Sequence, residues 1–267
     1  MFGSADREDR QRSAITALLG RREFRADTRW IPTGPRKSER VTLAKYRAGL
    51  RGRVLELGMG GGRITDHLIT IAESLHRVDI APNMVAYCQQ RFPQATFTQE
   101  DFRRLSTWPA ACWDAVYGGC NTFDVLAIEE RDALISDVAR LLRPEGLFIF
   151  SSHNYGSLAL VKKPWLHIAS LNPRRSLRGG SSGGLRAAFN YRRLAALQRV
   201  EEDYAVVVDD ALDFSLLQIY IARDAQERQL AKHGLQLLEC IDEDARVVAA
   251  GETGYGSITL DYVARRT

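Results

Sequence analysis

The chain has 267 residues, 45% hydrophobic and 26% charged, a composition that supports a packed core and excludes collagen-like, disordered and disulfide-scaffold proteins. Its 37 basic and 33 acidic residues nearly balance, so a net charge of +4 indicates no class of partner. The four cysteines are scattered without a C-x-x-C pair, so we expect no metal site and a reduced, cytoplasmic setting. No run reaches the roughly 18 apolar residues that cross a bilayer, and we expect no membrane partner.

Short apolar runs alternate with helix-period segments over the first 155 residues. In chain order we predict a strand at 53–57, a helix at 63–75, a strand at 76–80, a helix from Pro82 to Phe92, a short strand at 95–99, a strand at 113–119, a helix at 128–142 that Pro144 stops, and a strand at 146–152. Repeated strand–helix units of this kind predict an α/β protein with a doubly wound, parallel sheet.

The last third of the chain has a different pattern. Residues 174–193 hold six arginines and no acid, around a GGSSGG run that is typical of a flexible connection. Asp224 and Glu227 form a capping-box pattern, and Gly234 follows as a C-terminal stop. Two further strands, LQLLECI and SITLDYVARR, are expected to pair antiparallel. We divide the chain into an N-terminal helical segment (1–35), a core (36–155), an inserted cap (156–221) and the C-terminal part of the core sheet (222–267).

The strongest motif is VLELGMGGGR at 54–63, where a strand turns through glycines into a helix. Glycines allow backbone amides to approach a ligand closely, and a helix N-terminus favours a pyrophosphate or a carboxylate. A dinucleotide fingerprint starting at Gly58 would require glycine at Arg63, whereas the observed spacing is E-x-G-x-G-x-G.

Further motifs follow in order: VDIAPNM, QEDFRRL, WDAVYGGCNTFDVL and LLRPEGLFIFS. Together with the glycine loop, they resemble the class I S-adenosylmethionine-dependent methyltransferases, in particular the methyltransferase-domain-25-like small-molecule sub-group. The resemblance implies a seven-stranded, mainly parallel, Rossmann-like sheet with an inserted cap, and S-adenosylmethionine as cofactor. Glu145 replaces a glycine of the family's fifth-strand opening, away from any cofactor contact.

The resemblance also implies roles for individual residues. Asp79 would hold the ribose hydroxyls, Ile80 and Met84 would pack on adenine, and Asp101 and the Phe102 amide would bind its edge. The methionine moiety would lie beside 118–121, and an N-terminal helix near Lys45 and Tyr46 could close over it. The full cofactor set is Glu56, Gly58, Met59, Gly60, Gly62, Asp79, Ile80, Met84, Asp101, Phe102 and Gly118.

The acceptor is expected to be a small molecule. GGCN stands where nucleic-acid amine methyltransferases of this class carry a D/N-P-P-Y/F motif, and Cys120 lacks the preceding proline of a C5-cytosine nucleophile. His153 lies just past a strand at the ligand-binding edge of the sheet and is the expected general base, with Asn121 as the second catalytic residue. Asn154, Tyr155 and Tyr220 are the expected acceptor contacts.

Nitrogen and oxygen acceptors both remain open, with oxygen favoured because His153 is available. The resemblance implies natural-product tailoring as the setting, and a homodimer is the expected assembly. Two alternatives remain: an RNA-directed methyltransferase that uses Arg174–Arg193 as its basic surface, and a non-catalytic cofactor-binding partner subunit.

Overall fold

A computed structural model of the chain describes residues 34–163 and 182–267. The predicted N-terminal helical segment, 1–35, lies almost entirely outside the described residues. So does the first part of the arginine-rich segment, up to residue 181.

The central sheet contains the seven strands that were expected. They are β1 (Arg53–Leu57), β2 (Ser74–Asp79), β3 (Thr96–Gln99), β4 (Trp113–Gly118), β5 (Leu142–Asn154), β9 (Leu235–Ile241) and β10 (Thr259–Arg266). Strands β3-β2-β1-β4-β5 are parallel neighbours in that order, β10 is antiparallel to β5, and β9 is antiparallel to β10. The doubly wound, mainly parallel architecture is therefore confirmed.

Three further strands extend this sheet to ten, which the sequence did not predict. They are β6 (Arg199–Val200), β7 (Tyr204–Val207) and β8 (Gln218–Ile221), and all fall in the segment 156–221. Strand β8 pairs in parallel with the last two residues of β5, His153 opposite Tyr220 and Asn154 opposite Ile221. The insertion is thereby joined to the carboxyl end of the strand that carries His153.

Helices pack on both faces of the sheet. They are α1 (Lys37–Lys45), α2 (Thr65–Leu68), α3 (Pro82–Arg91), α4 (Ile128–Leu141), α5 (Ser182–Leu194) and α6 (Arg223–Lys232). On one face, α4 buries Leu134 and Val138 in the cluster that contains Phe148, whereas α1 buries Leu43 in the cluster on the other face. Burial of each such side chain contributes about 1.5–3 kcal/mol, which explains the apolar periodicity of α4.

Two predicted element boundaries differ from those observed. The helix expected at 63–75 is regular only over Thr65–Leu68, because a β-branched run at 69–71 disfavours its continuation and the Glu73 amide bonds to the carbonyl oxygens before β1. Helix α4 ends at Leu141, one residue before the expected end, and β5 begins directly after it at Leu142, so that Pro144 lies inside this strand.

Two local predictions at helix ends are also corrected. Part of the glycine-serine run, from Ser182, is the first turn of α5. Asp224 is not the cap of α6, since Ala222 occupies that position and the Asp224 and Glu227 carboxylates both bind Arg223. Gly234, with φ of +72°, follows α6 as predicted.

Candidate functional site

The glycine loop between β1 and α2 adopts left-handed backbone conformations that favour glycine. Gly58, Gly60 and Gly62 have φ of +66°, +49° and +79°. A Cβ on Gly58 would overlap the side chain of Thr122, and one on Gly62 would crowd the ring of Phe92, whereas one on Gly60 would meet open space. The backbone at Gly60 is therefore open to a ligand.

Asp79 ends β2 beside this loop and is 7% exposed. Its two carboxylate oxygens each accept one backbone hydrogen bond, Oδ2 from the amide of Gly60 (3.0 Å) and Oδ1 from that of Ala81 (2.9 Å). Burial raises the pKa of Asp79, against these amide bonds. Each oxygen keeps a further lone pair, so the carboxylate fits a pair of neighbouring ribose hydroxyls.

Glu56, the acid of the motif, lies below the loop in a buried ion pair. Its Oε2 accepts from Arg77 Nε (2.9 Å) and from the Thr65 hydroxyl (2.8 Å), and burial raises its pKa. The Arg77 guanidinium is itself enclosed between the rings of Phe92 and Phe97. This arrangement ties β1 to β2 and to α2, and a direct contact between Glu56 and a cofactor stays a prediction.

The residues expected around adenine have mixed environments. Ile80 and Met84 are half-buried, whereas Met59 is 5% exposed and packs with Val85 and Phe92 against α3. Phe102 packs edge-on to the ring of Phe123.

Asp101 caps the turn at 102–107 and binds Arg103, which also reaches Glu130 (2.9 Å). Burial raises the pKa of Asp101, but the Arg103 hydrogen bonds outweigh it and hold that pKa below its ordinary value. An adenine amino group would therefore compete with Arg103 for this carboxylate.

Strand β4 ends at Gly118, where a Cβ would overlap the ring of Phe123. The chain then turns through Cys120 and Asn121, which have positive φ of 54° and 55°. The hydroxyl of the next residue, Thr122, donates to the Gly119 carbonyl oxygen (2.7 Å) and lies 3.5 Å from the Gly58 carbonyl oxygen. Because Thr122 lies against Gly58, this turn brings the neighbouring residue Asn121 close to the glycine loop.

His153 lies at the end of β5 and is held by a carboxylate that sequence reasoning missed. Its Nδ1 is 2.8 Å from Asp124 Oδ2, and the same oxygen accepts the His153 backbone amide at 2.6 Å. Asp124 is fully buried and forms an ion pair with Arg131 at 2.6 Å. The only signal in the sequence is an acid between Phe123 and Val125 in an otherwise apolar run.

The other ring nitrogen of His153 faces polar groups from two elements. Nε2 is 3.0 Å from Asn121 Nδ2 and 3.6 Å from Asp209 Oδ2, and the ring of Tyr220 stacks on the imidazole at 4.6 Å. The structure thus brings together the predicted His153, Asn121 and Tyr220, and adds Asp209, which the sequence did not single out.

Two predicted acceptor residues have structural partners. Asn154 is fully buried, and its amide nitrogen donates to the carbonyl oxygens of Gly254 (2.9 Å) and Ser257 (3.0 Å). The Tyr155 hydroxyl donates to the Glu201 carbonyl oxygen (2.9 Å). The burial of Asn154 argues against a direct contact with an acceptor, whereas Tyr155 is half-buried.

Helix α1 approaches the site through charged side chains near its start. Arg63, which follows the glycine loop, binds Glu39 (Nη2 to Oε1, 2.6 Å) and the Cys120 thiol (2.7 Å), and Arg36 bridges Glu39 to Asp261. Burial by itself would raise the pKa of Glu39. The hydrogen bond from Arg63 and the charge of Arg36 outweigh it, so the pKa of Glu39 lies below its ordinary value.

Lys45 and Tyr46, in contrast, lie at the other end of α1. Both bind the Glu239 carboxylate on β9, at 2.7 Å and 3.1 Å. Lys45 and Tyr46 themselves therefore point away from the glycine loop, and the helix approaches the site through its start; closure of this helix over the methionine end stays a prediction.

Asp261 lies beside this cluster on β10, and its raised pKa leads us to expect that the stability of the protein depends on pH. Burial raises its pKa to about 6, against the charge of Arg36. In the unfolded chain the carboxyl ionises near its ordinary value of about 4, so between pH 4 and 6 the folded state binds more protons. Its contribution to the free energy of unfolding is therefore present below pH 4 and falls by roughly 3 kcal/mol as pH rises to 6.

Asp261→Asn should remove this fall. Urea unfolding at pH 4, 5, 6 and 7 measures it as the difference between variant and wild type. Asp244→Asn is the matched control, since Asp244 is 67% exposed and pairs only loosely with Lys37. Parallel curves for Asp261→Asn and the wild type would contradict the assignment.

Within residues 34–163 and 182–267, no group of three histidine, cysteine or acidic side chains is placed to hold a metal ion. In the same part of the chain, no helix is long and apolar enough to cross a membrane.

Two buried side-chain amides near the loop carry polar atoms with no hydrogen-bond partner among the described residues. They are Nδ2 and Oδ1 of Asn83, in the first turn of α3, and Oδ1 of Asn121. Buried polar atoms without partners are costly, so both positions suit the polar groups of a bound ligand.

Comparison with known proteins agrees with this geometry. Residues 54–146 match a family model described as "Methyltransferase domain". The chain is 28% identical over 116 residues to "Putative methyltransferase YqeM" of Bacillus subtilis, covering 42% of this chain and 46% of that protein. It is 26% identical over 166 residues to the ubiquinone biosynthesis O-methyltransferase of Xanthomonas oryzae pv. oryzae, covering 59% and 68%. The chain thus spans about half to two thirds of the curated relatives it matches.

Solved structures share the fold at low identity. The 1,6-didemethyltoxoflavin-N1-methyltransferase of Burkholderia thailandensis aligns with a TM-score of 0.60 at 15% identity, covering 100% of this chain and 92% of that one. The N-methyltransferase NodS of Bradyrhizobium japonicum aligns with a TM-score of 0.55 at 16% identity, covering 95% and 98%. The family-model match identifies a methyltransferase domain over residues 54–146, and the sheet topology and the structural neighbours give the chain the fold of the class I S-adenosylmethionine-dependent methyltransferases.

Proposed function

We propose that the chain transfers the methyl group of S-adenosylmethionine to a hydroxyl oxygen of a small-molecule acceptor. The observation that carries this proposal is the 2.8 Å contact between His153 Nδ1 and the fully buried Asp124 carboxylate, at the carboxyl end of β5. A histidine held by a buried carboxylate in this way is the arrangement of an oriented general base.

The cofactor would lie over the glycine loop. The Asp79 carboxylate would accept hydrogen bonds from the two ribose hydroxyls, and Ile80 and Met84 would cover the adenine. The unpartnered Oδ1 of Asn121 would accept a hydrogen bond from the amino group of the methionine moiety. When bound, S-adenosylmethionine supplies an electrophilic methyl carbon on a sulfonium. The protein therefore has to align the acceptor, exclude water and manage one proton.

His153 would act as the general base that removes the hydroxyl proton of the acceptor. Arg131 neutralises the charge of Asp124, and Asp124 accepts the Nδ1 hydrogen, so Nε2 carries the ring's lone pair. In the free protein this lone pair accepts from Asn121 Nδ2 at 3.0 Å, and the acceptor hydroxyl would take the place of that donor. His153 Nε2 would take the proton of the acceptor hydroxyl during transfer, while bound S-adenosylmethionine would supply the methyl group and leave as S-adenosylhomocysteine. The Asp124 carboxylate then stabilises the positive ring.

The choice of oxygen rests on the presence of this pair. A neutral amine attacks without a base, whereas a hydroxyl needs one in the transition state. The relatives include proteins named as O-methyltransferase and as N-methyltransferase, so they do not select the atom. By the same resemblance, natural-product tailoring is the metabolic setting that we propose.

A panel of phenols, aliphatic alcohols and amines, incubated with cofactor carrying a labelled methyl group, tests this proposal. Labelled products are separated and the methylated atom is identified by NMR. We expect O-methyl products from at least one hydroxyl acceptor. Transfer to amines alone, or to no acceptor despite tight cofactor binding, would contradict the proposal.

A further inference from the structure

The insertion supplies a second carboxylate to His153. Asp209 follows β7, is 5% exposed, and places Oδ2 at 3.6 Å from His153 Nε2, the nitrogen opposite the one that Asp124 holds. The pairing of β8 with the end of β5 brings Tyr220 onto the ring and Asp209 beside it. Two buried carboxylates thus flank one imidazole.

Asp209 is bound by donors from its own part of the chain. Oδ1 accepts the amide of Ala211 at 3.0 Å, Oδ2 accepts the Tyr220 hydroxyl at 3.1 Å, and Gln218 Nε2 lies 3.3 and 3.2 Å from the two oxygens. These donors take up most of the lone pairs of the carboxylate, which leaves little capacity for binding an acceptor. The 3.6 Å separation from Nε2 is longer than a hydrogen bond, so Asp209 acts on the ring through its charge.

The charged and titratable groups around the ring come from every element packed against it. They are Asp124 from the turn after β4, Arg131 from α4 through its ion pair with Asp124, Asp209 from the loop after β7, Tyr220 from β8, and Asp210, whose charge acts on Tyr220. Arg131 offsets Asp124 within a fully buried pair. Among the residues that the structure describes, the hydrogen-bonded partners of Asp209 include no cation, so they do not offset its charge. Asn121 Nδ2, which faces the same ring nitrogen at 3.0 Å, is neutral.

We propose that Asp209 is a positioning residue that favours the protonated ring of His153, and so promotes the transfer of the acceptor proton to Nε2. This proposal rests on the proposed function for its catalytic meaning. The physical effect itself can be measured in the free protein, because a carboxylate this close to Nε2 stabilises a positive imidazole whether or not an acceptor is bound.

The test is a titration of the His153 ring by ¹H–¹⁵N NMR in the ligand-free full chain, with the His153→Gln spectrum used to assign the signal among the five histidines. Asp209→Asn is expected to lower the midpoint relative to the wild type, since it removes the charge and keeps the shape. Asp203→Asn is the matched control, an exposed acid of the same insertion that pairs with Arg228, and it should leave the midpoint in place.

Tyr220→Phe gives a second measurement with the opposite sign. It keeps the stacked ring but removes the hydroxyl that donates to Asp209, so the carboxylate is less shielded and the midpoint should rise. This variant also serves if Asp209→Asn fails to fold, which thermal unfolding would show. A purely structural Asp209 would lower the unfolding temperature and leave both midpoints unchanged.

An unmoved midpoint in both variants, or a ring that does not titrate between pH 5 and 9 in any of the proteins, overturns the role of Asp209. This result is separable from failure of the proposed function. If the midpoint is unmoved while O-methyl transfer depends on His153, only Asp209 is misassigned. If the midpoint moves while transfer reaches amines alone, Asp209 controls the charge of the ring but the oxygen assignment fails.

Discussion

His153→Gln is expected to lower the turnover number for O-methyl transfer by about 10²–10⁴-fold, the usual contribution of a positioned general base. Glutamine can keep a hydrogen bond to Asp124 but cannot take a proton from the acceptor. The affinity for S-adenosylmethionine should be unchanged, because the expected cofactor contacts lie on the glycine loop and at Asp79. Steady-state kinetics with a labelled methyl group, combined with calorimetry, separates the two quantities.

The chain offers a matched control for this variant. His233 also contacts a carboxylate, Asp132, with Nε2 3.0 Å from Oδ1, but this pair links α6 to α4 away from the glycine loop. His233→Gln should leave turnover intact. Full activity of His153→Gln at every pH would show that no histidine base is used.

Asp79→Ala should weaken S-adenosylmethionine binding by about 10²–10⁴-fold. It removes two charge-assisted hydrogen bonds to the ribose, each about 1.5–3 kcal/mol, which together correspond to that loss in affinity. It also releases the amides of Gly60 and Ala81, which the carboxylate holds in the free protein. Calorimetry with S-adenosylmethionine, S-adenosylhomocysteine and NAD measures the effect and its specificity.

Asp114→Ala is the control for loss of an anchored carboxylate. Asp114 also accepts a backbone amide hydrogen bond, from Arg53 at 2.7 Å, but it lies near the start of β4, at the opposite edge of the sheet. This variant should bind the cofactor as the wild type does, after any loss of stability is accounted for. An unchanged affinity of Asp79→Ala would exclude the ribose assignment.

Elements with local signals could be predicted from the sequence, even where their ends could not. The β1 run at 53–57 is apolar because the strand is buried, and Pro82 begins α3 because its ring suits the first turn. Helix 63–75 was overestimated because its apolar spacing suits a helix, whereas its β-branched residues and the Glu73 hydrogen bonds end it early. Pro144 lies inside a strand because proline is tolerated in an irregular part of β5.

In the candidate site, too, some residues have local sequence signals and others come together only through tertiary contacts. The glycine loop and Asp79 could be located because their spacing along the chain reflects one strand–turn–helix unit and the end of the next strand. Asp124 and Asp209 could not, because no local pattern distinguishes a buried functional acid from a surface one. Asp124 meets His153 across 29 residues, and Asp209 reaches it only through the pairing of β8 with β5.

The sequence by itself determined the fold class and the presence of a methyltransferase domain, and it predicted the cofactor loop, since these depend on residue periodicity and short motifs. The tertiary structure decided which groups surround His153 and which end of α1 meets the loop. The physical reason is that the parallel strands end at one edge of the sheet and collect side chains from distant segments there. Which side chains face one another at that edge depends on register and packing, which no single segment encodes.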